Sequence, residues 1–341
     1  NTEGVNNVAL GYIALDADTL GFQSTALGYA ALSAQNFTSS TASQNVAVGY
    51  YAGVSVTTGV NNTLIGAHAG DALTDADNNV AFGYQSLGAD TLGSESTALG
   101  KGTLTAQNFT SATDTHNTAV GYQSGNDITV GVKNTLLGSR SGDALTDADE
   151  NVGIGYATLS GDTLGSKSVA VGSGALEVQN FTSATDAYNT AVGYQSGNDI
   201  TTGTRNTIMG SLGGDALTEG GNNLVLGWNA LGADTKGSRS VALGYSALTT
   251  QNFTSATNAY NVAVGFQAGN AVTTGLTNTL VGSLCHDNLT TGDLNVALGY
   301  DTRPSAVGVD SEIVIGNSVT GAGTNTVRIG TAGGTATLGL D

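Results

Sequence analysis

Proline, cysteine, methionine and tryptophan occur once each in 341 residues, and lysine and arginine together number nine. Each scarcity excludes something. A single cysteine, Cys285, permits no disulfide within the chain and leaves the redox compartment undecided. One proline, Pro304, beside 51 glycines without a Gly-X-Y period argues against collagen and proline-rich linkers. Nine basic against 27 acidic residues give a net charge of −18, which opposes binding to nucleic acid or to a bare anionic membrane. No run approaches the ~18–20 apolar residues that cross a bilayer, so no membrane insertion by this segment is expected. A signal-peptide pattern is also missing.

Repetition fills the chain instead. The stretch NTAVGYQSGND occupies 117–127 and returns letter for letter at 189–199. It contains a five-residue cassette, Asn/Ser–x–small–aliphatic–Gly, that recurs nineteen times, from NVALG at Asn7 to a degenerate TVRIG at Thr326. Thirteen of the intervals are 17-residue steps, as from Asn45 to Asn62 and on to Asn79. Four are 21-residue steps, as from Ser96 to Asn117, and the last, from Glu312 to Thr326, is a 14-residue step. Each long step follows a Ser cassette, which produces a 72-residue super-repeat running from Asn45 to Asn117, Asn189 and Asn261. Regular apolar spacing of this kind is not the signature of disorder.

Strands this closely spaced leave no room for βαβ units, and nothing between them has a helical period. Gly, Asn and Asp punctuate every interval, as tight turns require. The spacing predicts an all-β chain: a parallel β-solenoid, or β-roll, of about 19 coils, mostly of the 17-residue kind. Residues 1–309 are read as a shaft carrying the super-repeat, and 310–341 as degenerate C-terminal coils of the same shaft. The chain starts inside the repeat and is read as a piece of something longer.

Alternation along the cassette assigns its faces. The fourth position is always a large apolar residue and the second is mostly Val or Thr, so this face is expected to line the coil interior. The third position is then expected to lie outside, and it too is apolar: Ala9, Ala26, Ala47, Leu64, Ala81, Ala98, Ala119, Leu136, Ala170, Ala191, Ile208, Val225, Ala242, Ala263, Leu280 and Ala297. A strand apolar on both faces is buried on both. This column is therefore predicted to be the interface of a cyclic homo-oligomer, the partner being the chain itself. The cassette Asn is expected to form a hydrogen-bonded ladder along the stack. An aromatic residue following most cassette glycines is expected to cover a corner.

The cassettes NNVALGYIAL, STALGYAAL and SVAVGSGAL resemble the head repeats of trimeric autotransporter adhesins. NTAVGYQSGNDITTG, NNTLIG and SEIVIGNSVTGAGTNTVRIG are similar to the repetitive shafts of phage tail fibres. The resemblance covers nearly the whole chain and implies a left-handed β-roll in a three-fold trimer, which makes the third-position column the interface of a homotrimer. Coils longer than those of the adhesin heads favour the fibre-type relatives. The resemblance implies host attachment through a surface glycan or protein receptor on the host cell, and location on a virion. The alternative is a bacterial surface adhesin, extracellular and cell-bound.

Candidate chemistry is sparse, and no enzymatic role is expected. His68, His116 and His286 lack neighbours at metal-ligand spacing. Cys285 sits where other coils carry small residues and reads as a buried hydrophobe. Acidic turns place Asp71, Asp75 and Asp77 together, and Asp143, Asp147 and Asp149 one super-repeat later; Ca²⁺ is a possible occupant, and otherwise these are solvated turns. The four longer coils carry QNFT motifs. Their loops are candidate contact surfaces through Phe37, Phe109, Phe181, Phe253, Asp114, Asp186, Tyr188 and Tyr260, unless each Phe tucks inward. The motifs are also N-glycosylation sequons. A third functional class, an ice-binding solenoid, would need a flat, regular Thr array.

Overall fold

A computed structural model describes residues 4–331 and 334–335. Among the described residues there is no helix, and the architecture is the expected parallel β-solenoid. The chain divides into two compact units: residues 1–168 with 181–185, and residues 169–180 with 186–341.

In the first unit nine cassettes, from Val8–Leu10 to Val152–Ile154, each form a three-residue strand. Neighbours pair in parallel and in register, for example Thr63↔Val80, Leu64↔Ala81 and Ile65↔Phe82. The second unit repeats the arrangement from Val169–Val171 to Val327–Thr331. Its last described strand, Gly334–Thr335, runs antiparallel to Val327–Thr331. Of the C-terminal coils placed at 310–341, residues 332–333 and 336–341 lie outside the described residues. Short lateral pairs such as Gly93–Ser94 with Thr113–Asp114 accompany the longer coils.

Two backbone features turn the chain at each end of a cassette. The residue before the cassette Asn takes a left-handed conformation, as at Asn61 (φ 59) and Asn78 (φ 60). The closing Gly sits at φ 142 in Gly83, where a Cβ would collide with the carbonyl oxygen of Gly100 in the next coil. Only glycine tolerates both the angle and the approach.

Inside the coils, space is filled by one of two codes. At the fourth position after the closing Gly the backbone is again left-handed. In one kind of coil this place is Gly and the residue three later is aliphatic: Gly53 with Val56, Gly70 with Leu73, Gly125 with Ile128, Gly142 with Leu145. In the other kind it is Leu, and the residue three later is Asp or Gln: Leu32 with Gln35, Leu87 with Asp90, Leu104 with Gln107. All of these Leu, Val, Ile, Asp and Gln side chains are fully buried. A left-handed leucine costs about 1–2 kcal/mol. Burying its side chain returns roughly 1.5–3 kcal/mol, so the leucine is tolerated.

The period of the super-repeat follows from this code. Pairs of glycine coils alternate with pairs of leucine coils, and the bulky third-position residues Leu64, Leu136, Ile208 and Leu280 recur beside the glycines. A Cβ on Gly53 would stand 2.7 Å from Leu64 Cδ1, and one on Gly142 would stand 2.9 Å from Leu136 Cδ2. Volume removed from one wall is restored on the other.

The Asn ladder runs from side chain to backbone. Asn45 Oδ1 accepts the Asn62 N–H at 2.8 Å, and Asn62 Nδ2 donates to the Ala76 carbonyl at 2.7 Å. Serine replaces Asn where the long coil delivers a glutamine to the same place. Gln107 Nε2 donates to Ser96 Oγ at 2.8 Å, and its Oε1 accepts from Asn117 Nδ2 at 2.9 Å. The Ser cassette thus makes room for an amide arriving from elsewhere.

Candidate interaction surface

The expected phase of the strand is reversed. Third-position residues Ala26, Ala47, Leu64, Ala81, Ala98, Ala119 and Leu136 in the first unit are wholly buried within their own coils. So are Ala170, Ala191, Ile208, Val225, Ala242, Ala263 and Leu280 in the second, and Ala297 retains 1% exposure. Ala9 is exposed, together with the rest of its strand in the first described coil. These residues cannot be a subunit interface, because the opposite wall of the same coil already covers them. Leu and Val from the turn segments fill the interior, so mostly Ala fits at the third position. A short Ala is consequently an inner residue here, and the larger neighbours point out.

Second and fourth positions form the outward face. Leu10, Phe82, Met209, Leu226 and Leu298 are exposed at 71, 54, 45, 47 and 48%. No ionisable residue occupies either position in any cassette. Beyond the closing Gly, the aromatic column stands in solvent and stacks along the coils. Tyr12, Tyr29 and Tyr50 follow one another at 5.3 and 5.4 Å, and Trp228, Tyr245 and Phe266 at 4.8 and 5.2 Å. Lys101 Nζ lies 5.9 Å from the rings of both Tyr84 and Tyr122. Neighbouring phenols push the pKa of Tyr29 up, chiefly through Tyr51, and that of Tyr51 up, chiefly through Tyr50.

The long-coil loops divide. Phe37, Phe109, Phe181 and Phe253 are only 5–6% exposed, so they plug the wider corner and are withdrawn from any contact surface. The Phe181 ring packs on Gly165, where a Cβ would come within 2.7 Å of it. Asp114, Asp186, Tyr188 and Tyr260 remain exposed, with Tyr188 Oη donating to Asp186 Oδ2 at 3.1 Å.

Buried beneath these loops is a cluster the sequence reading missed. Asp90 Oδ2 accepts Gln107 Nε2 at 2.5 Å, while its Oδ1 accepts the Gly93 N–H at 3.0 Å and the Phe109 N–H at 3.3 Å. Asp234 repeats this with Gln251, Gly237 and Phe253. Burial raises the pKa of Asp234, and the four hydrogen bonds from Gln251, Phe253, Gly237 and Thr235 pull the other way. The signal was present in the spacing. Asp18 precedes Gln35, Asp90 precedes Gln107, Asp162 precedes Gln179 and Asp234 precedes Gln251 in sequence by the same single-coil step in successive super-repeats.

The acidic turns do not gather into a cation site. Asp71 Oδ2 meets His68 Nδ1 at 2.8 Å, Asp75 Oδ1 accepts Thr58 Oγ1 at 2.6 Å, and Asp77 Oδ1 accepts the Val60 N–H at 2.7 Å. Asp149 receives the Val132 N–H at 2.8 Å, and Asp143 Oδ2 pairs with Arg140 Nε at 2.9 Å. Among the described residues no three His, Cys, Asp or Glu side chains converge as a metal set would.

A small open cavity of about 140 Å³ is lined by Gln195, Asn198, Asp199, Asp215 and Ala216. Burial, with Asp199 nearby, raises the pKa of Asp215. Cys285 is buried 3.0 Å from Thr302 Oγ1, and burial pushes its pKa up to about 11, so it is an inert thiol. His286 takes the left-handed place of the glycine in related coils; it is fully buried, and burial lowers its pKa to about 4.

A threonine column also runs along the coils. Thr57 and Thr74 donate their hydroxyls to the carbonyls of Thr74 and Thr91, and Thr201 and Thr218 to those of Thr218 and Thr235. No described helix is long and apolar enough to cross a membrane. Comparison with protein-family models, with curated proteins and with solved structures finds no match.

Proposed function

We propose that the chain is a shaft segment of an attachment fibre, of the kind used by phage tail fibres, working on the virion as a homotrimer. The single observation that carries this reading is the strict coil-after-coil construction, in which the Asn ladder, the threonine column and the Asp–Gln pairs each bond one coil to the next. Asn, Thr, Asp and Gln side chains are committed to neighbouring coils, and the exposed groups recur at fixed intervals on a rigid scaffold. Such a scaffold is suited to holding a receptor-binding surface at a distance. Asp114, Asp186, Tyr188 and Tyr260 are the loop residues that would meet a host glycan or protein. The ice-binding alternative is disfavoured because the hydroxyl protons of the Thr57 and Thr201 columns already bond to carbonyls, and because the outward second positions mix Thr with Val and Leu rather than forming a regular Thr array.

Immunogold labelling with antibody raised against this chain tests the assignment. Gold on the fibres of virions is the expected outcome. Gold on the envelope of uninfected cells would assign the chain to a bacterial surface adhesin, and label on neither would overturn both.

A further inference from the structure

We infer that the outward strand face, with the aromatic column beside it, is the surface on which further copies of this chain dock. This rests on the reading that the chain works as a multi-chain fibre, and it moves the contact from the alanine column to the opposite side of the strand.

The size of the face is the first argument. In the first unit Tyr12, Tyr29, Tyr50, Tyr84, Tyr122 and Tyr156 are 40–68% exposed. At about 200 Å² per aromatic side chain, they alone present on the order of 600 Å². Val8, Leu10, Val80, Phe82, Leu137 and Ile154 are also exposed. Together the two columns reach on the order of 1,000 Å², against ~300–600 Å² for the largest patch of an ordinary monomer and ~800 Å² per partner in a standard interface. The second unit carries the same columns, from Tyr194 and Met209 to Leu298 and Tyr300.

Charge and shape select the occupant. The chain carries −18, yet none of that charge lies at the second or fourth cassette positions. A strand face free of charge, bordered by an aromatic column whose one charged residue is Lys101, suits an apolar protein partner. An anionic membrane would be repelled by the acidic surroundings, with nine basic residues to counter 27 acidic ones. Small molecules need a concavity, which stacked columns do not offer. Aliphatic and aromatic rows that advance one coil at a time are matched along their length by rows of the same period, and another copy of this chain supplies them.

Light scattering on the full chain after size exclusion is the test, with Val120→Arg and Val192→Arg placing one charge on the face of each unit. Val130→Arg, at an exposed turn away from the face, is the control. The expected result is a multiple of 33.8 kDa for the parent and the control, and a single-chain mass for the face variant. Short bis-maleimide treatment of Val192→Cys should link chains, whereas Val130→Cys should not, and this assay does not require the assembly to be broken. A multimeric parent with an unchanged face variant, or equal cross-linking at both sites, would overturn this docking face while leaving self-association intact. A parent that is monomeric at every concentration would overturn both, with the virion labelling experiment still deciding the attachment role.

Discussion

Two kinds of coil solve one cross-section by opposite means. Glycine coils such as Gly125–Ile128 and Gly142–Leu145 leave the left-handed position empty and fill the centre with hydrocarbon. Leucine coils such as Leu87–Asp90 and Leu104–Gln107 put the hydrocarbon on the left-handed residue and a polar side chain in the centre. The first kind depends on volume alone, so one aliphatic coil accepts another beside it. The second depends on a mate, since a buried carboxylate needs the Gln of the next coil and two backbone N–H groups. Hydrocarbon supplies stability, and the Asp–Gln pair supplies order.

Removing the mate should break the comparison most severely. Asp90→Ala leaves one of the two Gln107 Nε2 protons, the other still held by Ser96 Oγ, and the N–H groups of Gly93 and Phe109 without an acceptor. At about 1–3 kcal/mol for each stranded buried donor, the loss should reach roughly 4 kcal/mol in urea unfolding. A loss below about 1 kcal/mol would mean the leucine coils are held by packing alone. Crossing the codes should come next. Gly142→Leu drives a side chain into Leu145 and Leu136 and should cost about 3 kcal/mol by overpacking. Adding Leu136→Ala should recover part of that loss, and a double-mutant cycle without coupling would refute the volume exchange.

The smallest effect sharpens the contrast by way of an exception. His286 occupies a glycine place and has a pKa of about 4 in the fold, against 6.5 ordinarily. The unfolded chain therefore takes up the proton first as pH falls. Stability from this group is complete above about pH 7 and declines from 6.5 toward 4. The deficit should be about 2 kcal/mol at pH 5. His286→Gly should flatten that stretch of the pH–stability curve, and a curve of unchanged slope would remove His286 as its source.

Coil length, strand direction and register were legible in the sequence, because a cassette of fixed form recurs at fixed intervals. The direction of the side chains was not. Size was taken as the guide to burial, and Leu or Val at the fourth position outranked Ala at the third. That rule fails where the far wall of a narrow coil has already filled the interior. The correction was written in the same letters. Leu64, Leu136 and Ile208 belong to coils that carry Gly at the left-handed position, and Leu280 faces Gly269 of the coil before it. An outward-facing residue would have no reason to follow that rule. The fate of the QNFT phenylalanines stayed open because burial of an aromatic ring depends on the glycine facing it, which for Phe37 is Gly21 on the preceding coil.

The mate requirement of the buried carboxylate also governs how such a gene can change its length. Unequal crossing-over between copies of the super-repeat deletes or duplicates four coils together and returns every Asp to a Gln. Loss of the glutamine coil alone strands an acid in a dry interior, whereas a glycine coil can be lost or gained without parting any pair. Changes in length are thereby confined to steps that keep each Asp coil beside its Gln coil.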